Sequence, residues 1–390
     1  MEASRDRLSL WLFVPALSVG GAERTLVDLA NGLDHDRYDV TVWTIFEQNP
    51  LADRLVADVT LRTLGVAGVT SDDHGFAVEG AENPLEYVRA PLRFCRLVRR
   101  ERPDILQSFL THDNLIARVA NVVSPETSVV TGVRLVPTGE TDVAQRLDNL
   151  TTRFADHVVS NSEAGARFAR RYWVPADRVS VVHNGRDIDR FDRAPPEGLR
   201  ESIGIPNGAP VVGTVGRLID RKGHRELLDA WVTVRAEVPE ANLLIVGDGP
   251  DRAALEAQAR RLDIAGSVHF VGLRDDVPDL LAIMDVFAFP SHYEGLPGAL
   301  LEAMAAGLPA VATPVDGNAE LLDAYESGLF FDVGDDAALA RALVLLLDTP
   351  DVAAEMGVAA QRRARESFGI ETMVAGFEGV YERLHAERAP

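Results

Sequence analysis

Lysine is almost absent from this chain. Lys222 is the only one, and every other cation among the 39 Lys and Arg residues is arginine. Against 60 Asp and Glu the formal net charge is −21, which excludes general binding to nucleic acid, whose phosphates need a basic surface. An acidic, lysine-poor surface suits a salt-adapted or GC-rich source, with codon bias as the plainer explanation. The single Cys95 excludes an intrachain disulfide and fits a reducing cytosol. No run of about 18 apolar residues occurs, so no membrane-spanning helix is expected. The opening MEASRDRLSLWLFVPALSVGG lacks a cleavage pattern and reads as a first buried strand rather than a leader. No Cys/His cluster has zinc spacing, so no metal is expected. GDGP at 247–250 lacks the third glycine of a dinucleotide loop, so no redox cofactor is expected either.

What is present is a repeated strand–helix rhythm. Short apolar runs such as LSLWLFV (8–14), YDVTVWTIF (38–46) and DILQSF (104–109) alternate with helix-period segments. The rhythm breaks at 186–209, where Pro, Gly and charge suggest a linker, and resumes at PVVGTVG (210–216). The fold expected is α/β: two Rossmann-like parallel-sheet domains, residues 1–190 and 191–369, facing across a cleft, with helical segments closing the chain. Open parallel sheets bind ligands beyond the carboxyl ends of their strands, so the loops there are the candidate sites.

After PVVGTVG, Arg217 and Lys222 stand five residues apart just before a helix. Such cations stabilise a diphosphate, the alternative being a solvated basic turn. The only lysine of an arginine-rich chain falls here, and Arg does not replace its point charge. In DVFAFPSHYEGLPGALLEAMAAGLP (285–309), Glu294 lies in the loop after a buried strand and Pro297 suits the first helical position. Glu302 lies inside an otherwise apolar helix, where a carboxylate needs a partner: ribose hydroxyls, or a neighbouring arginine. Gly20 and Gly21 open the first helix and let backbone amides approach a ligand. His112 follows the strand DILQSF, as a structural or a site histidine. Residues 84–101 read as a helix with an apolar stripe of Val88, Leu92, Cys95 and Val98. Beside it runs a basic stripe of Arg89, Arg93, Arg96 and Arg100, either a solvated edge or a surface for an anionic membrane or a phosphate-bearing lipid acceptor.

These stretches, with VVSNSEAGARF, VVHNGRDIDRF and LLIVGDGPDRAALE, resemble the retaining glycosyltransferases of the GT-B fold, family four, over nearly the whole length. The resemblance implies a nucleoside-diphosphate sugar as substrate, no metal or other cofactor, and a sugar or lipid-linked acceptor on the N-terminal domain. It assigns the diphosphate to Arg217 and Lys222, the transferred sugar to Glu294 with His112, and the ribose to Glu302. It adds backbone contacts at Gly20, Gly21, Gly295 and Leu296, the base near Leu273, and a final helix, 370–390, crossing back to the first domain. Val315-Asp316-Gly317-Asn318-Ala319-Glu320 departs from the family's usual Gly-Gly…Glu pattern. The function expected is a cytoplasmic, metal-independent hexosyltransferase, with peripheral membrane contact as an alternative setting. The rivals are a sugar-nucleotide epimerase of the same architecture and a non-catalytic carbohydrate- or partner-binding protein.

Overall fold

The computed structural model describes residues 7–18, 20–67, 69–70, 78–79, 84–134, 143–172 and 174–388. The chain forms two compact units, Met1–Gly185 with Ile370–Pro390, and Arg186–Gly369. Asp72, Asp73 and His74, which the sequence suggests as a solvated loop, lie outside the described residues.

Unit 1 runs β1 (Leu8–Val14), α1 (Gly21–Gly32), β2 (Tyr38–Phe46), β3 (Thr60–Val66), the short antiparallel pair β4 (Val69–Thr70) and β5 (Val78–Glu79), α2 (Pro84–Glu101), β6 (Ile105–Ser108), α3 (Thr111–Val123), β7 (Ser128–Val133), α4 (Val143–Thr151), β8 (His157–Ser160), α5 (Glu163–Arg171) and β9 (Val179–Val181). Its parallel sheet has the order β3-β2-β1-β6-β7-β8-β9. The order reverses between β1 and β6. The run LSLWLFV is apolar from Leu10 to Val14 because both faces of β1 are covered there. Leu10, Leu12 and Val14 pack toward α1, and Trp11 and Phe13 pack with Phe94 and Val98 of α2.

Helix α2 buries Cys95 and Val98 of the stripe its sequence suggests, but not Leu92. Ala90, Phe94 and Val98, one turn apart, are fully buried, and Leu92 is 51% exposed. Phe94 stacks on Phe13 with ring centroids 4.0 Å apart and meets Trp11 and Trp43. The aromatic cluster sets the rotation, since Phe94 buries more apolar area there than Leu92. The side chain of Val88 lies outside the described residues.

Unit 2 runs α6 (Leu199–Ser202), β10 (Val211–Val215), α7 (His224–Glu237), β11 (Asn242–Val246), α8 (Arg252–Arg261), β12 (Val268–Gly272), α9 (Val277–Leu281), β13 (Val286–Phe289), α10 (Gly298–Ala305), β14 (Ala310–Ala312), α11 (Asp316–Leu321), β15 (Gly328–Phe330), α12 (Asp336–Asp348) and α13 (Pro350–Ser367). The sheet order is β12-β11-β10-β13-β14-β15, all parallel, reversing between β10 and β13. The last helix, α14 (Ile370–Arg388), belongs to unit 1, where Met373, Val374, Phe377 and Tyr381 pack on the β1 side of the core.

Residues 186–209 are not a linker. Ile188, Phe191 and Ile205 are buried in the unit 2 core, and the Arg200 guanidinium donates to the carbonyls of Ala209 and Ile283. Three apolar anchors scattered among Pro and charge have no period to detect, so tertiary packing decides this segment. Phe191→Ala should therefore destabilise unit 2 by about 3–5 kcal/mol, read as a lower urea midpoint. The exposed Arg190→Ala should move it by less than about 0.5 kcal/mol. Equal, small effects would return the segment to a linker.

Candidate functional site

The reversal between β10 and β13 leaves a crevice beyond the carboxyl ends of two adjacent strands, the position where open α/β sheets bind ligands. Two loops flank it. After β10 come Gly216 and exposed Arg217, then buried Leu218, whose N–H donates to the Asp248 carbonyl at 2.9 Å. A short 3-10 turn, Asp220–Lys222, ends at Gly223, which also begins α7. Gly223 has φ +68, and a Cβ there would lie 2.1 Å from the Pro290 carbonyl oxygen of the other loop. Only glycine permits that turn and that approach. The second loop, from Pro290 to Pro297, is fastened to the first by the His292 N–H donating to the Arg221 carbonyl at 2.8 Å, and His292 Nε2 sits 2.9 Å from Glu226 on α7.

Side chains complete the link. Lys222 Nζ is 2.5 Å from Glu294 Oε1 and lies over the Phe289 ring at 5.1 Å. Arg221 Nη1 is 3.5 Å from the same carboxylate and stacks near Tyr293. Glu294 is 7% exposed. Gly295 and Leu296 are buried behind it. Behind the loop, Asn318 donates to the Thr313 carbonyl, and Thr313 Oγ1 donates to the Ser291 carbonyl at 2.5 Å. The departure at 315–320 thus supplies Asn318 as an internal brace of this loop. Pro297 is the cap of α10 rather than its first helical residue.

Glu302 sits in α10, buried, with its Oε1 3.3 Å from Nε of buried Arg186. Gly298 makes room for this pair, since a Cβ there would lie 2.6 Å from Arg186 Nη2. The arginine alternative for Glu302 is what the structure contains. Arg186 and Arg221 are the members that reading the sequence missed. Each directly adjoins a quoted motif, Arg186 after HNG and Arg221 before Lys222. Leu273, just past β12 at the sheet edge, is 80% exposed.

Unit 1 has its own reversal, between β1 and β6, and the glycine pair and His112 both fall there. Gly20 caps α1. Its missing side chain leaves space for the Glu23 carboxylate, which accepts from Ser18 Oγ at 2.8 Å and is raised in pKa mainly by burial. Gly21 is exposed. Half-buried His112 lies in the first turn of α3. Next to it, buried Asp113 accepts the N–H groups of Phe109 and Leu110 at 3.1 and 2.9 Å. Burial pushes its carboxyl up to about 8 against the pull of those donors, with the Glu23 charge adding to the rise. Among the described residues no group of three His, Cys, Asp or Glu side chains could hold a metal ion, and no helix is long and apolar enough to cross a membrane.

Residues 197–363 match the model of the glycosyl transferases group 1, and residues 19–190 that of glycosyltransferase family 4. The lipopolysaccharide core biosynthesis glycosyltransferase LpsE of Rhizobium meliloti (strain 1021) is 31% identical over 269 residues, covering 66% of this chain and 70% of that one. The 2-deoxystreptamine glucosyltransferase of Streptomyces kanamyceticus is 34% identical over 212 residues, 53% and 54% of the two chains. The crystal structure of Anabaena Alr3699/HepE with UDP-glucose superposes with a TM-score of 0.81 at 23% identity, over 97% of this chain and 100% of that one. The chain belongs to the family 4 glycosyltransferases, and its two Rossmann-like units are the GT-B architecture. It spans about half the length of several curated relatives it matches, 54% in the Streptomyces case.

His224, the residue after Gly223, is buried and its Nδ1 has no hydrogen-bond partner. Burial, with Lys222 nearby, lowers its pKa from 6.5 to about 4. Between those values the unfolded chain binds a proton that the folded one does not. Its contribution is therefore complete above pH 6.5 and falls as pH drops toward 4. In His224→Gln the unfolding midpoint of unit 2 should fall less steeply from pH 6.5 to 4.5 than in the wild type. Parallel curves would show that His224 does not carry this dependence.

Proposed function

We propose that the protein is a retaining glycosyltransferase that moves a sugar from a nucleoside-diphosphate sugar to an acceptor hydroxyl, in assembly of a polysaccharide or glycoconjugate. The observation that carries this is the Lys222–Glu294 contact at the strand-order reversal of unit 2. The acceptor oxygen attacks the anomeric carbon on the face from which the diphosphate departs. The anomeric C–O bond breaks, its electron pair leaves with the diphosphate, and a diphosphate oxygen takes the acceptor proton. Arg217 and Lys222 stabilise the departing charge, so the reading needs no metal and no other cofactor. Glu294 holds Lys222 in position and contacts the transferred sugar. Glu302, oriented by Arg186, takes the ribose hydroxyls, and Leu273 lies on the base side. Gly295 and Leu296 offer backbone groups to sugar and phosphate. From unit 1, Gly20, Gly21 and His112 keep the roles the resemblance gives them. The setting is the reducing cytoplasm, in keeping with the single, buried Cys95.

A panel of UDP-, GDP- and ADP-sugars with candidate acceptors tests this. Acceptor-dependent release of nucleoside diphosphate, with anomeric configuration kept in the product, is expected. Lys222→Ala should lower kcat about 100-fold or more, of the order seen when one charge-stabilising donor is removed, with the far-ultraviolet dichroism unchanged. An altered sugar released without any acceptor would make the protein an epimerase, and no nucleotide-sugar binding at all would leave a carbohydrate- or partner-binding module.

We also propose that α2, α3 and α4 meet an anionic membrane surface bearing a lipid-linked acceptor. Three of the expected arginines have local partners: Arg89 and Arg93 reach Glu86, and Arg100 reaches Glu101. The helix still carries five Arg against two Glu on a chain of net charge −21. Arg96 is exposed. Beside α2, the helices α3 and α4 expose Val119, Val122, Leu147 and Leu150, with Phe154 just beyond at 58%. An apolar face flanked by arginine suits a headgroup layer. Co-sedimentation with vesicles rich in anionic lipid is expected at low salt, weakened severalfold by Val122→Asp with Phe154→Asp. Equal binding to neutral vesicles, or none, would discard the membrane contact.

A further inference from the structure

Arg134 follows β7 directly, at the carboxyl end of the unit 1 sheet, and its guanidinium lies over the ring of Phe109, which follows β6. Nη1 donates to Asn184 Oδ1 at 2.6 Å. Nε and Nη2 are buried and have no hydrogen-bond partner. Arg134 as a whole is half-buried, whereas the arginines that are fully buried each face a carboxylate: Arg118 with Asp148 at 2.7 Å, and Arg186 with Glu302 at 3.3 Å. Arg134 has none among the described residues. Burial lowers its pKa to about 10, and among the described residues the Tyr381 phenol is the group that opposes this. A buried cation without a counter-charge is costly, and Arg cannot shed its proton at neutral pH. The unpaired atoms are not scattered. Nε and Nη2 form one edge of the guanidinium, the two-pronged edge that matches both oxygens of a carboxylate or phosphate.

We infer that the Nε–Nη2 edge of Arg134 is the seat of an anionic group, phosphate or carboxylate, on the ligand of unit 1. Given the transferase reading, that ligand is the acceptor, so the acceptor is anionic rather than neutral or amine-bearing. Phe109 holds the plane of the guanidinium, and Asn184 takes its third nitrogen, so the unpaired edge is oriented before the ligand arrives. Removing the charge relieves an uncompensated burial, which separates a binding role from a structural one.

The test is thermal unfolding of Lys222→Ala and Lys222→Ala/Arg134→Gln proteins in inorganic phosphate against chloride at matched ionic strength. The Lys222→Ala background removes one phosphate ligand on unit 2. Phosphate should raise Tm in the first protein by several degrees, and the double variant should lose at least most of that rise. In chloride, Arg134→Gln on its own should keep or raise Tm. A fall of several degrees there, or an equal phosphate response in both proteins, would overturn the seat. These readouts need no turnover, so they decide Arg134 even where the transferase reading fails. Where the acceptor panel gives turnover, the preferred acceptor should be anionic, with Arg134→Gln raising its KM at least tenfold and Arg134→Lys recovering part of the loss. Preference for a neutral acceptor, unaffected by Arg134→Gln, would overturn the assignment to the acceptor.

Discussion

The contact between Lys222 and Glu294 joins two loops that are far apart in sequence and adjacent in the unit 2 sheet. Everything near it serves to hold those loops at that separation. Gly223 lets the first loop pass against the Pro290 carbonyl, the His292 N–H ties the backbones, and Asn318 with Thr313 braces the second loop from behind. A nearly buried ion pair is a weak device for stability alone, because desolvation offsets its attraction. Its effect here is to fix a cation beside a carboxylate at the carboxyl ends of two adjacent strands.

The two units share a topology and differ in how they treat charge at the reversal of strand order. In unit 2 the cations are matched: Lys222 and Arg221 by Glu294, Arg186 by Glu302. In unit 1 the acids are pressed toward neutrality, with Glu23 raised and Asp113 raised to about 8, while Arg134 stays charged with one edge unpaired. Both arrangements leave electrostatic demand that packing alone does not satisfy, and functional sites are where such demand is tolerated.

Much of this was legible beforehand because its signals are local. The strand–helix rhythm, the lone lysine and the spacing of Glu294 and Glu302 need only a few consecutive residues. The misreadings share one cause. Residues 186–209 look like a linker because Ile188, Phe191 and Ile205 have no period. The α2 stripe is assigned to Leu92 because helical spacing allows several faces and only the aromatic cluster around Phe94 selects one. Arg186 and Arg134 look like ordinary arginines in a chain that uses arginine for almost every cation.

By itself, the sequence determined the two parallel sheets, the loops at their carboxyl ends and the chemical types gathered there, since strand periodicity and turn chemistry are properties of neighbouring residues. Only the tertiary structure decided partnership: Lys222 with Glu294 across 72 positions, Glu302 with Arg186 across 116, and Arg134 with no carboxylate among the described residues. Charge pairing in a folded chain depends on distance and burial in space, and neither is written in the order of residues along the chain.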